Sequence, residues 1–198
     1  MRELLSIVNL TKAFSQFPSI GEKTAERMAY ALLEMDQEQI QFLMSSIIDV
    51  KENIRHCPNC GALIDTPNCP YCNEERDHNT CIVVPYPKDI MIFEKMDNFH
   101  GIYHSLNGEL SSIKGISIND LRINELKERI KREHIKELIL ATNPTVEGET
   151  TALYIAKLFE NENINITRLA HGIPIGSNIE YSDKLTLLKA IENRTKIK

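Results

Sequence analysis

No stretch of this sequence approaches the ~20 consecutive apolar residues needed to cross a bilayer. Residues 1–15 lack both the basic start and the hydrophobic centre of an export signal. Both absences point to a cytoplasmic protein. The phosphate-cradling ending Gly-Lys-Ser/Thr is missing, including from the rigid loop His171-Gly172-Ile173-Pro174-Ile175-Gly176, so an ATPase finds no support. There is no G-x-S-x-G elbow, and His78, His100, His104 and His134 are too dispersed to build an open metal site. Positive charge is also scarce. Lys and Arg total 23 against 28 Asp and Glu, a net charge of −5, which excludes a wholly basic nucleic-acid coat while leaving room for local patches.

What is present is globular. The 198 residues are 42% hydrophobic and 26% charged, enough for one ordinary domain or two small ones. Residues 4 to 54 carry helical periodicity in three runs, through Leu4, Ile7, Val8, Leu10 and Phe14, then Met28, Ala29, Leu32 and Leu33, then Ile40, Leu43, Met44, Ile47 and Ile48. Pro18 disfavours helix at Phe17, and Gly21 permits positive φ, which makes the first break a tight turn. Asp36 is placed to cap the third helix. Residues 55 to 79 have no apolar stripe. After Thr80, strands (81–84, 101–104, 138–141, 164–169) alternate with helices (89–96, 119–132, 149–159), the signature of a parallel sheet, and 183–193 closes the chain as a helix. The fold class is therefore α+β and multidomain.

Four of the five cysteines lie in two C-x-x-C knuckles, Cys57-Pro58-Asn59-Cys60 and Cys69-Pro70-Tyr71-Cys72. Two residues between cysteines let both thiolates of a tight turn reach one ion, and two such turns complete a tetrahedral S₄ shell suited to zinc. A shell filled by protein leaves no open position, so the predicted ion is structural and supplies folding energy to a segment without a core. Cys81 reads as a small buried hydrophobe, and His56 as a neighbour that cannot easily share the tetrahedron.

Two further segments carry charge in an organised way. Ser19-Ile20-Gly21-Glu22-Lys23-Thr24-Ala25-Glu26-Arg27 turns one helix into another; Lys23 and Arg27, four apart, share a helical face on which they either straddle a DNA backbone or merely decorate a scaffold. Ala141-Thr142-Asn143-Pro144-Thr145-Val146-Glu147-Gly148-Glu149 leaves the carboxyl end of a buried strand. Glu147 and Glu149 there have three readings: ligands of a divalent ion, stabilisers of a helix start, or contacts for a basic partner.

Taken in order, the hairpin at 17 to 33, the four-cysteine site at 57 to 72, Arg76-Asp77, Pro87-Lys88-Asp89, Gly101-Ile102-Tyr103-His104-Ser105-Leu106, the segment 140–149 and Ala170-His171-Gly172-Ile173-Pro174 resemble the RecR family of bacterial recombination mediators over essentially the whole chain. The resemblance implies a helix-hairpin-helix domain over 1–54, a C4 zinc finger over 55–79, a Toprim α/β domain over 80–175 and a C-terminal helical segment over 176–198. It further implies a homo-oligomer, a dimer or tetrameric ring, that encircles DNA and acts with RecO and RecF to help load RecA on gapped DNA, without being an enzyme. On this basis Lys23 and Arg27 match the DNA-binding positions and Glu147 and Glu149 the partner-binding ones, with no catalytic residue. The helix-hairpin-helix pattern expects a Gly where Ser19 stands. Catalytic Toprim domains carry a Glu where Pro85 falls here and an Asp-x-Asp where Asn143 and Thr145 fall. An alternative is a metal-dependent Toprim nuclease or nucleotidyl transferase using Glu147, Glu149 and Asp89; a third is a zinc-containing interaction module that does not touch DNA.

Overall fold

A computed structural model describes residues 4–196. The chain divides into two compact units, Met1–Ile54 and Arg55–Lys198.

The first unit is helical, with α1 over Leu5–Phe14, α2 over Glu22–Ala31 and α3 over Gln37–Asn53. Asp36 caps α3 as its position suggested: its carboxylate accepts from the Gln39 amide at 2.9 Å, while the Asp36 amide donates to the Gln39 side chain at 3.0 Å. The hairpin between α1 and α2 departs from expectation at its special residue. Ser19, not Gly21, takes the left-handed conformation, at φ 66°, whereas Gly21 is extended at φ −78° and precedes α2 as its N-cap. Ala25 and Ala29 are fully buried, so small side chains set the close approach of α2 to its neighbours. The apolar stripe of α3 behaves differently. Its residues form helix as expected, but only Ile40 is half-buried while Leu43, Met44, Ile47 and Ile48 remain open, as does neighbouring Phe42 (74% exposed), because a unit of three short helices encloses little volume.

The second unit begins with a small antiparallel ribbon, β1 (Arg55–His56) paired with β2 (Leu63–Ile64). A four-stranded parallel sheet follows: β3 (Asp77–Val84), β4 (Gly101–Ser105), β5 (Glu137–Leu140) and β6 (Asn165–Arg168), in the order β4-β3-β5-β6. Its helices are α4 (Pro87–Glu94), α5 (Ile123–Glu133), α6 (Val146–Leu158) and α7 (Lys184–Glu192). The two-residue period of β3 splits the interior into two cores. Cys81 and Val83 pack with Leu126 and Ile130 of α5 and Ala152 and Ile155 of α6. Ile82 and Val84 face the other way, toward Ile90, Tyr103 and four ribbon residues, Cys57, Cys60, Ala62 and Ile64. The segment 55–79, expected to have no core of its own, borrows one face of the sheet.

Two helix boundaries shift for identifiable reasons. The helix expected over 119–132 breaks into a single turn, Ile118–Asp120, and then α5, because the Arg122 amide donates to Leu106 O at 2.9 Å instead of continuing a helix. Helix α6 starts at Val146 rather than 149, since the Thr145 hydroxyl caps the Gly148 amide at 3.2 Å. Glu147 and Glu149 therefore belong to the first helical turn. Leu126 is fully buried in the α5–α6 core, and Leu126→Ala is expected to lower unfolding stability by about 2–5 kcal/mol in denaturant titration.

Candidate metal centre and acidic cleft

The β1–β2 ribbon is a turn wrapped around two cysteines. The Cys57 amide donates to Ala62 O at 2.8 Å and the Gly61 amide to Cys57 O at 2.9 Å, folding the knuckle back on itself. Gly61 sits at φ 76°, and a Cβ there would lie 2.9 Å from Arg122 Nε and 3.0 Å from Ser105 O, so both conformation and space demand glycine. The second knuckle brings Cys69 and Cys72 to the same place. The four thiols lie within 4.8 Å of one another, with Cys57 Sγ 3.8 Å from Cys72 Sγ and Cys60 Sγ 3.5 Å from Cys69 Sγ. A tetrahedron with metal–sulfur bonds of roughly 2.3 Å has edges of roughly 3.8 Å, so this donor set fits one metal ion. None of the cysteines is disulfide-bonded.

Their crowding alone would be unfavourable. Hydrogen bonding among the thiols drives Cys57 down, through Cys60, and Cys60 up, through Cys57, because neighbouring sulfurs cannot all ionise without a cation between them. Cys81 is not in the group: it is fully buried on β3, and burial pushes its thiol up to about 12. His56 turns Nδ1 to Gly61 O at 3.2 Å and is likewise outside it.

The knuckles are seated on β4, an edge strand of the sheet. The Ser105 amide donates to Cys60 O at 2.8 Å and the Tyr103 amide to Tyr71 O at 3.4 Å. Arg122 donates from NH2 to Pro58 O at 2.7 Å. Asn59 gives Nδ2 to Glu133 at 3.0 Å, tying the first knuckle to the end of α5. His104, under the same strand, is fully buried; its Nε2 contacts Arg122 O at 2.8 Å, and burial pushes it down to about 3, so it is a neutral structural imidazole.

The acidic segment lies at the carboxyl ends of β3 and β5, beside a cleft of about 260 Å³ lined by residues including Tyr86, Glu109, Lys114, Asn143, Thr145 and Glu147. Glu109 is 8% exposed and accepts from the Asn143 amide at 2.8 Å and from its Nδ2 at 3.1 Å. Sequence reasoning missed it; the only available signal was an acidic residue just after β4, at the functional end of the sheet. Its carboxylate shapes the loop, and Gly148 fits beneath because a Cβ there would collide with Asn143 O. Glu149 is engaged as well, with Arg168 at 2.9 Å and His171 Nδ1 at 3.8 Å. Asp89 accepts from the Tyr86 amide at 3.0 Å and so caps its own helix. Pro85, Asn143 and Thr145, in the turns that follow β3 and β5, supply no carboxylate there. Among the described residues, the four cysteines form the only group of three or more potential metal ligands.

In the first unit, Lys23 and Arg27 are exposed on α2, on the side away from buried Ala25 and Ala29. Neither takes part in a salt bridge among the described residues.

Three family models match this chain: the RecR helix-hairpin-helix over residues 7–51, the Toprim domain over 79–170 and the RecR C-terminal region over 172–195. Recombination protein RecR of Carboxydothermus hydrogenoformans is 46% identical over 189 residues, 95% of each chain. The chain belongs to the RecR family. The RecR family match makes the parallel sheet a Toprim domain and the α1–α2 turn a helix-hairpin-helix, and it carries a role in recombinational repair. No helix among the described residues is long and apolar enough to cross a membrane.

Because the thiolates need a cation to coexist, protein purified under reducing conditions is expected to hold one equivalent of metal per chain by elemental analysis. Cys60→Ser should drop that below half an equivalent and lower the thermal midpoint; full retention by the variant would refute a four-sulfur site.

Proposed function

We propose that this RecR-family chain is a non-enzymatic DNA clamp and adaptor, cytoplasmic, with a structural zinc ion on Cys57, Cys60, Cys69 and Cys72. The observation that carries the DNA reading is the start of α2. Lys23 and Arg27 project from one exposed face, free of salt bridges among the described residues, behind an N-terminus whose amides point outward. A Cβ on Gly21 would meet nothing within 4 Å, so the fold does not require that glycine, and the space in front of the helix start is open to a backbone phosphate. Glu22 and Glu26 lie on the same helix, which keeps a single site weak.

Weak sites suffice when they are repeated. The open apolar residues of α3 are the kind of patch a second copy covers, and a homo-oligomer, a dimer or tetrameric ring, would present several Lys23/Arg27 faces to one DNA molecule. The proposed domain limits are those of the sequence reading, 1–54, 55–79, 80–175 and 176–198. We assign RecO and RecF as partners and assistance to RecA loading on gapped DNA as the outcome, with Glu147 the better-placed partner contact because it lacks the ion pair that occupies Glu149. The enzymatic alternative is weakened by the duties found for its carboxylates: Asp89 caps α4 and Glu149 pairs with Arg168.

DNA binding should be sequence-independent and fall steeply with salt. Lys23→Ala with Arg27→Ala is expected to weaken binding about tenfold or more and to reduce the slope of log affinity against log salt by roughly two per engaged protomer, with metal content and solution mass unchanged. Binding of unaltered strength and slope, measured on the same sample whose mass is determined, would remove these residues from the interface.

A further inference from the structure

One buried charge in the second unit has no place in the readings above. Arg129, on α5, is 0% exposed, the largest side chain to be fully buried. Its Nε donates to both oxygens of Glu133 at 3.0 Å, and NH1 donates to Tyr103 O. NH2 has no hydrogen-bond partner. A buried guanidinium with an idle nitrogen is costly unless negative charge lies close by. Glu133 alone does not meet that need, because it also accepts from Asn59 at 3.0 Å and Arg132 at 3.1 Å and faces His78 Nδ1 at 3.0 Å.

The remaining negative charge belongs to the metal centre. Four thiolates around a divalent ion carry two negative charges in excess, in a partly buried site. Arg129 reaches the strand on which that site is seated. The carbonyl it holds, Tyr103 O, lies on β4 between the two amides that seat the knuckles, Tyr103 N on Tyr71 O and Ser105 N on Cys60 O. Its carboxylate partner, Glu133, grips the first knuckle through Asn59. Burial works against its charge, and nearby negative charge, Glu133 and the metal ligands Cys60 and Cys72 among it, more than restores it.

We propose that Arg129 is a positioning residue of the metal centre, the internal counter-cation of the tetrathiolate, which with Glu133 locks both knuckles to the sheet edge. The inference rests on the reading of the four cysteines as a metal site. It distinguishes Arg129 from an ordinary buried ion pair, whose loss would disturb the fold without singling out the metal.

The test compares rates of metal transfer to a chromogenic chelator, at neutral pH with a thiol reductant, for wild-type protein, Arg129→Met, Arg129→Lys and Leu126→Ala. Outer-sphere partners typically contribute 10–100-fold to metal retention. Arg129→Met is expected to release metal at least tenfold faster, Arg129→Lys to fall between it and wild type because the charge survives, and Leu126→Ala to stay within about twofold of wild type despite its weaker core. Glu133 keeps Asn59, Arg132 and His78 in the variants; should Arg129→Met not fold, Arg129→Gln removes the same charge with one donor retained. Wild-type release by the neutral variant overturns the proposal, as does equal acceleration by Leu126→Ala. Metal-free wild-type protein would instead defeat the metal reading itself.

Discussion

The second unit depends on how one strand edge is closed. Strand β4 is one of the two edge strands of its sheet, and an open parallel edge leaves alternate amides and carbonyls without partners, a template for unwanted pairing. Here every odd residue of that edge is occupied. Arg76 takes Gly101 O at 2.8 Å, Tyr71 O receives the Tyr103 amide, Arg129 takes Tyr103 O, and Cys60 O receives the Ser105 amide. Two arginines and two cysteine knuckles thus do what a fifth strand would otherwise do. Knuckles can serve only if their carbonyls are held in register without a strand of their own, and a tight cysteine turn around one ion provides that rigidity in very few residues. Ribbon and sheet lie in one compact unit and share the core around Ile82, Val84 and Tyr103.

The same arrangement explains the chemistry at the other end of the sheet. The carboxyl ends of β3 and β5 are where an α/β fold of this kind puts reactive groups. In this chain Pro85, Asn143 and Thr145 stand in the turns there, none of them a carboxylate, and the buried carboxylate present, Glu109, is bound to the backbone and side chain of Asn143. The cleft keeps a loop in shape. What it presents outward is the first turn of α6, where an acidic residue is favoured by the helix dipole whether or not a partner exists. The helix start thereby suits Glu147, which is half-buried, with or without a partner.

Much of this was legible in the residues. The cysteine spacing predicted the thiol cluster, the alternation of short apolar runs predicted a parallel sheet, and Asp36 announced the start of α3, because each rests on a local rule. What escaped detection is non-local. The Asn59–Glu133 contact joins residues 74 apart and Arg122 reaches Pro58 across 64, and no periodicity encodes such pairs. Glu109 was invisible for the same reason: its partner is Asn143, 34 residues on. The hairpin misled differently. Gly21 looked like the left-handed residue by type, yet Ser19 takes that conformation, at a cost of about 1–2 kcal/mol for a residue with a Cβ. Intrinsic preference lost to the geometry of the Phe17-Pro18 approach.

The glycine that the turn does not use is then informative. Directly before a helix whose exposed face carries Lys23 and Arg27, Gly21 leaves room in which a Cβ would meet nothing within 4 Å among the described residues. A phosphate group satisfies that geometry and the sign of the helix dipole. A chain with a net charge of −5 cannot draw DNA through its overall field, so any attraction must be short-ranged and confined to such faces. Confinement favours assembly, since one weak patch per chain becomes effective only when several act on the same polymer. The apolar side chains left open along α3, which weaken the case for a solitary first unit, are what such assembly needs. Local electrostatics and unburied hydrophobic surface thus separately favour the proposed multivalent assembly.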